Sequence, residues 1–408
     1  MARPVESGGM VMEGPIGERI RIYRRRRGLS QRELAELAGR SESWLSQVER
    51  GIRSVDRLSV LVDIAKILKT DVETLSGRRM EFAPNGDPEL DGMERVREAL
   101  SAYPALLGSG PVVADLADLD QLTVEAHRRY QAADYGSAAR ILPSLITTID
   151  SAVAQATGDE LRRALVIQHQ AYVATAKLVT KVGDGRLAWV AADRAVTAAL
   201  RLDSPILKAA AAYQLASAFY RFDRGAEGER IAIETAESFT DDSPMGLSVR
   251  GALFLITSVM AGRRSDRVAS AERLGRARQL AETLGHDGNH GWTGFGPTNV
   301  AIHEVSAAAE LGDAQLAISI AEDVDTSGLP EGLRSRRAQV HIDTAWAYAQ
   351  HRNDSAVVIN LMEAERVAPQ TLRYNIIVRE MLRELLKRER KSATPGLRPL
   401  AQRSGVLH

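Results

Sequence analysis

Hydrophobic residues in the N-terminal part of the chain recur three or four positions apart, with polar helix-capping residues between the hydrophobic groups. This spacing predicts a series of short amphipathic helices. Ser30 and Glu33 have the spacing of a capping box, so a helix is expected to begin at Gln31 and to end near Gly39. The apolar stripe of this helix is expected to consist of Leu34, Leu37 and Ala38.

A second helix is predicted directly after this turn. Ser41 is a suitable N-cap, and Gly51 can end the helix after Arg50. Leu45 and Val48 lie three apart and are expected to face inward. The opposite face is expected to carry Ser43, Ser46, Gln47 and Arg50. Small or hydrogen-bonding side chains of this kind suit the reading of base edges in DNA, although capped helix pairs also occur in helical proteins that bind no DNA.

Three more short helices are predicted around this pair. Residues 16–27 form the first, with Ile20 and Tyr23 inward, and Asp71 caps the last, whose apolar residues are Val72 and Leu75. The core face of the helix between them is expected to consist of Leu58, Leu61, Val62, Ala65 and Leu68. Five short helices on one core make a compact domain of a size that folds alone.

Three sequence motifs in this region are Gly-Leu-Ser-Gln at 28–31, then Leu-Ala, then Leu-Ser-Gln-Val-Glu-Arg-Gly at 45–51. Residues 16–76 thereby resemble the Cro/cI-type (XRE) family of helix-turn-helix domains, over less than a fifth of the chain. The resemblance implies a five-helix DNA-binding domain whose recognition helix enters the major groove.

The resemblance also implies roles for individual residues. Gln31 would hold a phosphate at the positive end of its helix, and Glu49 would pair with Arg24 to fix the recognition helix. Trp44 would be exposed along the sugar-phosphate backbone. Glu42 would either accept from a cytosine amino group or repel phosphate, and both alternatives stay open. The residues expected to face the bases are Glu42, Ser43, Ser46 and Gln47. The arginines expected to contact DNA are Arg40, Arg50, Arg53 and Arg57.

Charge and composition agree with an N-terminal DNA-binding domain that is separate from the rest of the chain. The whole chain has 53 basic and 53 acidic residues, but residues 1–80 carry 16 Lys and Arg against 11 Asp and Glu. A positive excess on one module is typical of nucleic-acid binding. The chain has no cysteine, which excludes disulfides and thiolate metal sites. No secretion signal and no apolar run long enough to span a membrane is apparent, so we expect a cytoplasmic protein, associated with the nucleoid when bound.

The rest of the chain is predicted to be helical. Residues 1–15 are expected to be disordered, 77–115 to form a linker and a connecting helix, 116–390 a repeat domain, and 391–408 a basic flexible tail. The connecting helix, at 89–107, is expected to present Met93, Val96, Leu100 and Tyr103 on one side. We therefore predict an all-α fold, in which a Cro/cI-type domain precedes an α-solenoid.

Helical repeats in 116–390 are indicated by turns that recur about every 40 to 50 residues, more than the ~34 residues of a tetratricopeptide repeat. These turns are expected at 134–136, 183–184, 223–225, 262–263, 312–313 and 352–353. The residues with tetratricopeptide-like spacing are Ala345, Tyr348, Ala364 and Pro369, and, after the turn at 312–313, Ala317 and Ala321. The alternative is a generic helical bundle.

A segment rich in glycine, histidine and aromatic residues, 285–303, interrupts the helical pattern. It is expected either to line an effector site or to be only a long loop that contains a hydrogen-bonded histidine. Asn299 and His303 lie four apart and so share a helix face. The residues expected to face the groove of the repeats are Tyr213, Gln214, Trp292, Asn299, His303, Gln339, Asp343 and Trp346.

The sequence contains no recognisable motif for catalysis or metal binding. His303-Glu304 lacks the second histidine of a metalloprotease helix, and no phosphate-binding loop or nucleophile elbow is present. We expect neither enzymatic activity nor a cofactor or metal.

The combination of an XRE domain with such repeats resembles actinobacterial regulators and the peptide-sensing RRNPP-type regulators. It implies a homodimeric transcriptional regulator that binds a palindromic operator and senses a peptide or small-molecule effector. Two alternatives remain, a DNA-binding head whose repeats dock proteins without a small ligand, and a repeat adaptor that binds no DNA.

Overall fold

The structure is a computed structural model, and it describes residues 16–53, 55, 58–68, 75, 91–103, 115–221, 224–390 and 392–407. Within these ranges the chain forms α-helices and one 3-10 helix and no strand, which confirms the predicted all-α class. The chain divides into two compact units, residues 1–81 and 82–408. The predictions for residues 1–15, Arg57, Asp71, Val72 and the linker at 77–90 lie outside the described residues.

Four described helices form the N-terminal unit: α1 (Ile16–Arg26), α2 (Gln31–Leu37), α3 (Glu42–Glu49) and α4 (Leu58–Leu68). They share a core whose fully buried members include Ile20, Leu34, Leu45, Ile64 and Leu75. Gly17 of α1 lies directly against the backbone carbonyl of Val48 in α3, so these helices touch without an intervening side chain.

One predicted core position in this unit was wrong. Leu37 is 63% exposed, whereas Ala35 is buried beside Leu34. Helix α2 has only seven residues, so its inward face is the narrow strip that α3 and α4 cover. Leu37 lies at the last position of α2, beyond that strip.

The first described helix of the C-terminal unit is α5 (Asp91–Ser101), which packs on α7 through Val96 and Leu100. The other described helices as far as the 3-10 helix (His290–Trp292) are α6 (Leu116–Gln131), α7 (Tyr135–Gln155), α8 (Gly158–Lys181), α9 (Gly185–Leu202), α10 (Pro205–Arg221), α11 (Gly225–Glu237), α12 (Pro244–Arg263) and α13 (Arg267–Leu284). The helices after it are α14 (Pro297–Glu310), α15 (Ala314–Asp323), α16 (Arg334–Gln350), α17 (Asp354–Val367), α18 (Pro369–Arg373), α19 (Ile376–Lys387) and α20 (Leu397–Arg403).

Helices α6 to α17 form six consecutive antiparallel pairs. The first helices of successive pairs also pack on one another, in the order α6, α8, α10, α12, α14 and α16. Helix α16 in turn packs against α6, so these six helices form a closed inner ring. This arrangement is solenoid-like, and it buries mainly alanine, leucine and valine between the pairs.

The turns in five of the six pairs repeat one local design, and the exception is the α10–α11 turn, where Arg224 makes no side-chain cap. A residue with positive φ precedes an aspartate or asparagine whose side chain caps the second helix of the pair. Gly183 (φ 95°) precedes Asp184, whose carboxylate accepts from the backbone nitrogen of Leu187 at 3.0 Å. The predicted turn at 262–263 was wrong, because α12 continues to Arg263 and the turn follows at 265–266.

Two predictions about the flanks of this unit were also wrong. Tyr103 is 55% exposed and lies under the guanidinium of Arg194 at 5.0 Å, outside the apolar face of α5. Residues 391–408 were predicted to be a flexible tail, but Leu397 and Leu400 of α20 are completely buried in the core. Helix α20 was not predicted, because its seven residues are too few to show a clear hydrophobic spacing among the basic residues around them.

Helix α12 is long and apolar enough by composition to cross a membrane, contrary to the sequence-based expectation. In the structure 78% of its apolar window is buried inside the unit. The position of α12 in the inner ring accounts for its composition, because neighbouring helices cover it on several sides.

Candidate nucleic-acid interface and effector cavity

Helices α2 and α3 both have the N-terminal caps that the sequence predicted. The hydroxyl of Ser30 accepts from the backbone nitrogen of Glu33 at 3.1 Å, and the carboxylate of Glu33 accepts from the nitrogen of Ser30 at 2.7 Å. The Ser41 hydroxyl accepts from the nitrogen of Trp44 at 3.2 Å and so fixes the start of α3. Gly39, at φ 63°, makes the left-handed turn between the two helices.

Helix α3 has one buried face and one open face. Leu45 and Val48 are buried in the core, as the spacing predicted. On the other face Glu42, Ser43 and Arg50 are exposed, and Ser46 and Gln47 are half-buried. A helix with an open face of hydroxyl, amide and charged groups is the element that enters a major groove.

A bidentate ion pair holds α3 against α1. The Nε and Nη2 atoms of Arg24 donate to the two carboxylate oxygens of Glu49 at 2.6 and 2.9 Å, and both side chains are buried. The hydrogen bond from Arg24 to Glu49 raises the pKa of the guanidinium above its usual value. Arg24 also donates through Nη1 to the carbonyl of Leu29 at 2.8 Å, so it fixes the α1–α2 turn as well.

Gln31 joins this pair, a contact that the sequence did not indicate. Its Nε2 atom donates to Glu49 at 2.7 Å, so this carboxylate accepts from both α1 and α2. The second amide hydrogen of Gln31 is not needed for this contact and can still donate to a phosphate.

The prediction that Trp44 is exposed was wrong. Its indole ring is half-buried and packs against the core of the N-terminal unit, because a large apolar ring next to Leu45 gains more by partial burial. The guanidinium of Arg40 lies 5.6 Å from the ring centroid. Arg40, Arg50 and Arg53 are exposed, as contacts to phosphate require.

The geometry of α1 to α4 defines a helix-turn-helix head, and the comparisons with known proteins agree. A model described as a helix-turn-helix domain matches residues 15–76. The HTH-type transcriptional regulator SinR of Bacillus subtilis is 33% identical over 87 residues, which are 21% of this chain and 78% of SinR. Control protein C.SmaI of Serratia marcescens is 41% identical over 64 residues, which are 16% of this chain and 75% of that protein. No solved structure matches the chain.

Through this N-terminal region the chain belongs to the XRE-type helix-turn-helix transcriptional regulators, and it is a DNA-binding regulator. The matches with these relatives cover at most about a fifth of the chain, so they do not extend over most of the C-terminal unit.

A cavity of about 290 Å³ lies within the ring of the C-terminal unit. All six inner helices contribute to its wall. Of the eight residues predicted to face the groove, the cavity brings together seven: Tyr213, Gln214, Trp292, His303, Gln339, Asp343 and Trp346. The eighth, Asn299, is buried but does not line the cavity, so this prediction was wrong. It lies one turn before His303, and its backbone carbonyl faces the Nδ1 atom of His303 at 2.8 Å.

The segment 285–296 forms part of the cavity wall. The ring of Trp292 stacks on His127 with parallel planes and centroids 4.7 Å apart. The carbonyl of Trp292 accepts from the ammonium group of Lys177 at 2.8 Å. Gln131 and Asn289 exchange two hydrogen bonds of 2.8 Å. These contacts fasten the segment to α6 and α8, and so place Trp292 in the wall.

Four cationic residues of the wall were missed by sequence reasoning: Lys177, Lys181, Arg221 and Arg336. The signal that was available is the four-residue spacing of Lys177 and Lys181, which places both on one face of α8. Such a pair normally lies on a solvated face. Here burial lowers the pKa of each to about 7.

Proposed function

We propose that this chain is a sequence-specific regulator whose α3 reads an operator through Glu42, Ser43, Ser46 and Gln47. The observation that carries the proposal is that α3 is held in a fixed position in the N-terminal unit. The buried Arg24–Glu49 pair holds the helix, while its polar face stays open. Phosphates would be held by Gln31, Arg40, Arg50, Arg53 and Arg57, and the four arginines would also give the binding its salt dependence.

The operator would be palindromic and the regulator a homodimer. Helix-turn-helix dimers place two recognition helices in successive major grooves, about 34 Å apart. The C-terminal unit would provide the dimer contact, in the cytoplasm where the operator is accessible. Selection of duplexes from a random library by the full-length chain tests this proposal. Enrichment of an inverted repeat supports it, and enrichment of no sequence contradicts it.

The cavity supports the further proposal that the C-terminal unit senses a peptide or small-molecule effector. Ligand sites are commonly cavities lined by apolar and aromatic groups, with a few convergent polar side chains. The effector would change DNA affinity only if it binds the two states of the regulator unequally. That the helix pairs are tetratricopeptide-like repeats stays a prediction.

Exposed apolar side chains favour a second candidate, in which the helical unit docks another protein without a small ligand. The most exposed of those on the outer helices of the pairs are Trp189, Leu200, Val268, Leu316 and Ile359. Exposed apolar groups of this size mark interaction surfaces when they are contiguous. Native mass spectrometry separates the candidates, since a co-purified small molecule favours sensing and a co-purified protein favours docking.

A further inference from the structure

Cationic side chains from three inner helices converge on the cavity. Lys177 and Lys181 lie one turn apart on α8, Arg221 ends α10, and Arg336 lies in the first turn of α16. They are close enough to repel one another. The charge of Arg336 lowers the pKa of both lysines, and that of Arg221 further lowers the pKa of Lys181, in addition to the larger effect of burial.

The two acidic side chains of the wall, Asp343 and Glu310, form no ion pair with these four residues. Asp343 already accepts from the hydroxyl of Ser306 and from Nε2 of Gln339, and Glu310 accepts from the hydroxyl of Tyr220. Burial raises the pKa of both acids, and that of Asp343 to about 6. The wall therefore holds four basic side chains against two acidic ones.

Among the described residues, Lys181, Arg221 and Arg336 form no ion pair, and Lys177 donates only to the Trp292 carbonyl. Like charges that converge in a partly buried site lower the stability of a fold, unless a ligand of opposite charge binds there. Perturbed groups in a cavity of this kind are typical of functional sites.

The remaining wall is suited to a flat apolar body. Its aromatic residues are Tyr130, Tyr213, Tyr220, Trp292, Trp346 and Tyr374. Ligand cavities commonly enclose about 300 to 1,000 Å³, and this one, at about 290 Å³, lies just below that range. Its size suits a metabolite better than an extended peptide.

We propose that the cavity binds a small organic anion, with a carboxylate or phosphate group on an aromatic or apolar body, and that Lys181 and Arg336 bind its charge. This inference rests on the effector-sensing part of the proposed function and names the class of effector. Arg221 and Lys177 would contribute to the positive potential, and the ring of Trp292 would pack against the body of the ligand.

Two fluorescent probes with nearly the same body test the proposal on the full-length chain. 8-Anilinonaphthalene-1-sulfonate carries an anion, and N-phenyl-1-naphthylamine lacks it. We expect one high-affinity site for the anionic probe and at least about tenfold weaker binding of the neutral one, a difference of about 1.4 kcal/mol. Equal affinities of the two probes would overturn the proposal.

Single substitutions locate the site. Lys181→Met and Arg336→Gln should each weaken the anionic probe about tenfold and leave the neutral probe unchanged. Arg230→Gln is the matched control, because Arg230 is an exposed surface arginine paired with Glu234 outside the cavity. If both cavity variants fold, as circular dichroism shows, and bind the anionic probe as tightly as the wild type, the proposal is wrong.

Competition distinguishes the two kinds of head group. 1-Naphthyl phosphate and 1-naphthoate are each titrated against the bound anionic probe. Displacement by one of them identifies the charged group of the effector as a phosphate or a carboxylate. Displacement by neither overturns the proposal. The assay contains no DNA. Failure of operator binding with intact probe binding would therefore overturn the operator proposal alone, and the reverse result would overturn the anion site alone.

Discussion

The guanidinium of Arg24 donates to both carboxylate oxygens of Glu49, at 2.6 and 2.9 Å, and so joins α1 to α3 through a buried contact. The same carboxylate accepts from Gln31 in α2. One side chain on the predicted recognition helix therefore fixes its position relative to both preceding helices.

Removal of one partner should destabilise the N-terminal unit strongly. Arg24→Met leaves the Glu49 carboxylate buried with only Gln31 as its donor, and breaking a buried pair costs about 3 to 5 kcal/mol. Hydrogen exchange of the slowest amides in α1 and α3 should accelerate at least about a hundredfold.

The control for this prediction is the exposed pair Arg32–Glu36, whose side chains are 74% and 64% accessible. Arg32→Met should change exchange by less than a factor of about five. The double variant Arg24→Met with Glu49→Met should recover part of the loss, because no charge is then buried alone. Equal exchange in Arg24→Met and the wild type would show that the pair does not hold α3.

Close packing of α1 on α3 gives a second prediction. A Cβ atom on Gly17 would lie 1.9 Å from the carbonyl oxygen of Val48, so Gly17→Ala must push the helices apart. We expect a loss of about 1 to 3 kcal/mol, measured as a lower urea midpoint for loss of DNA binding. Gly275→Ala in α13, where an added Cβ meets no atom, should be neutral or stabilising. A neutral Gly17→Ala would contradict this packing.

Exposed arginines near α3 should contribute to DNA affinity through their charge and should contribute little to sequence preference. Arg53→Gln is expected to reduce the salt slope of DNA binding by about one, with similar losses on every duplex. Affinities measured by fluorescence anisotropy at several salt concentrations give this slope. Arg230→Gln, in the C-terminal unit, should leave it unchanged. A loss confined to one sequence would show that Arg53 reads bases instead.

Lys177 makes the stability of the C-terminal unit depend on pH. Burial lowers its pKa from 10.5 to about 7 in the folded chain. Between these values the unfolded chain binds more protons than the folded chain, so stability rises as pH rises from 7 to 10. The thermal midpoint should increase by a few degrees over this range. In Lys177→Met the increase should be smaller, and an identical increase would contradict the buried position of Lys177.

Local signals in the sequence were sufficient for much of the head. The Ser30–Glu33 capping box, the inward Leu45 and Val48, and the Arg24–Glu49 pair follow from short-range spacing or from the family motif, and the structure confirms each. The prediction that Trp44 is exposed was wrong, because the exposure of a side chain on a short helix depends on which neighbouring elements cover it. That information comes from tertiary packing.

The cavity could be predicted from the sequence only in part. Individual polar and aromatic residues such as Tyr213 and Asp343 were predicted to face a groove, and they line one cavity. Lys181 and Arg336 were missed, because nothing local distinguishes them from solvated surface cations. Only the packing of α16 against α6, which closes the inner ring, brings these distant positions together.

Readout of bases by Gln47 is the central claim, and one binding measurement tests it most directly. A duplex enriched by the full-length chain and a scrambled duplex of equal composition are compared by fluorescence anisotropy. The wild type should prefer the enriched duplex, and Gln47→Ala should lose about 1 to 3 kcal/mol on that duplex alone, or roughly five- to 150-fold in affinity. Unchanged affinity of Gln47→Ala for the enriched duplex would contradict the assignment of α3 as the recognition helix.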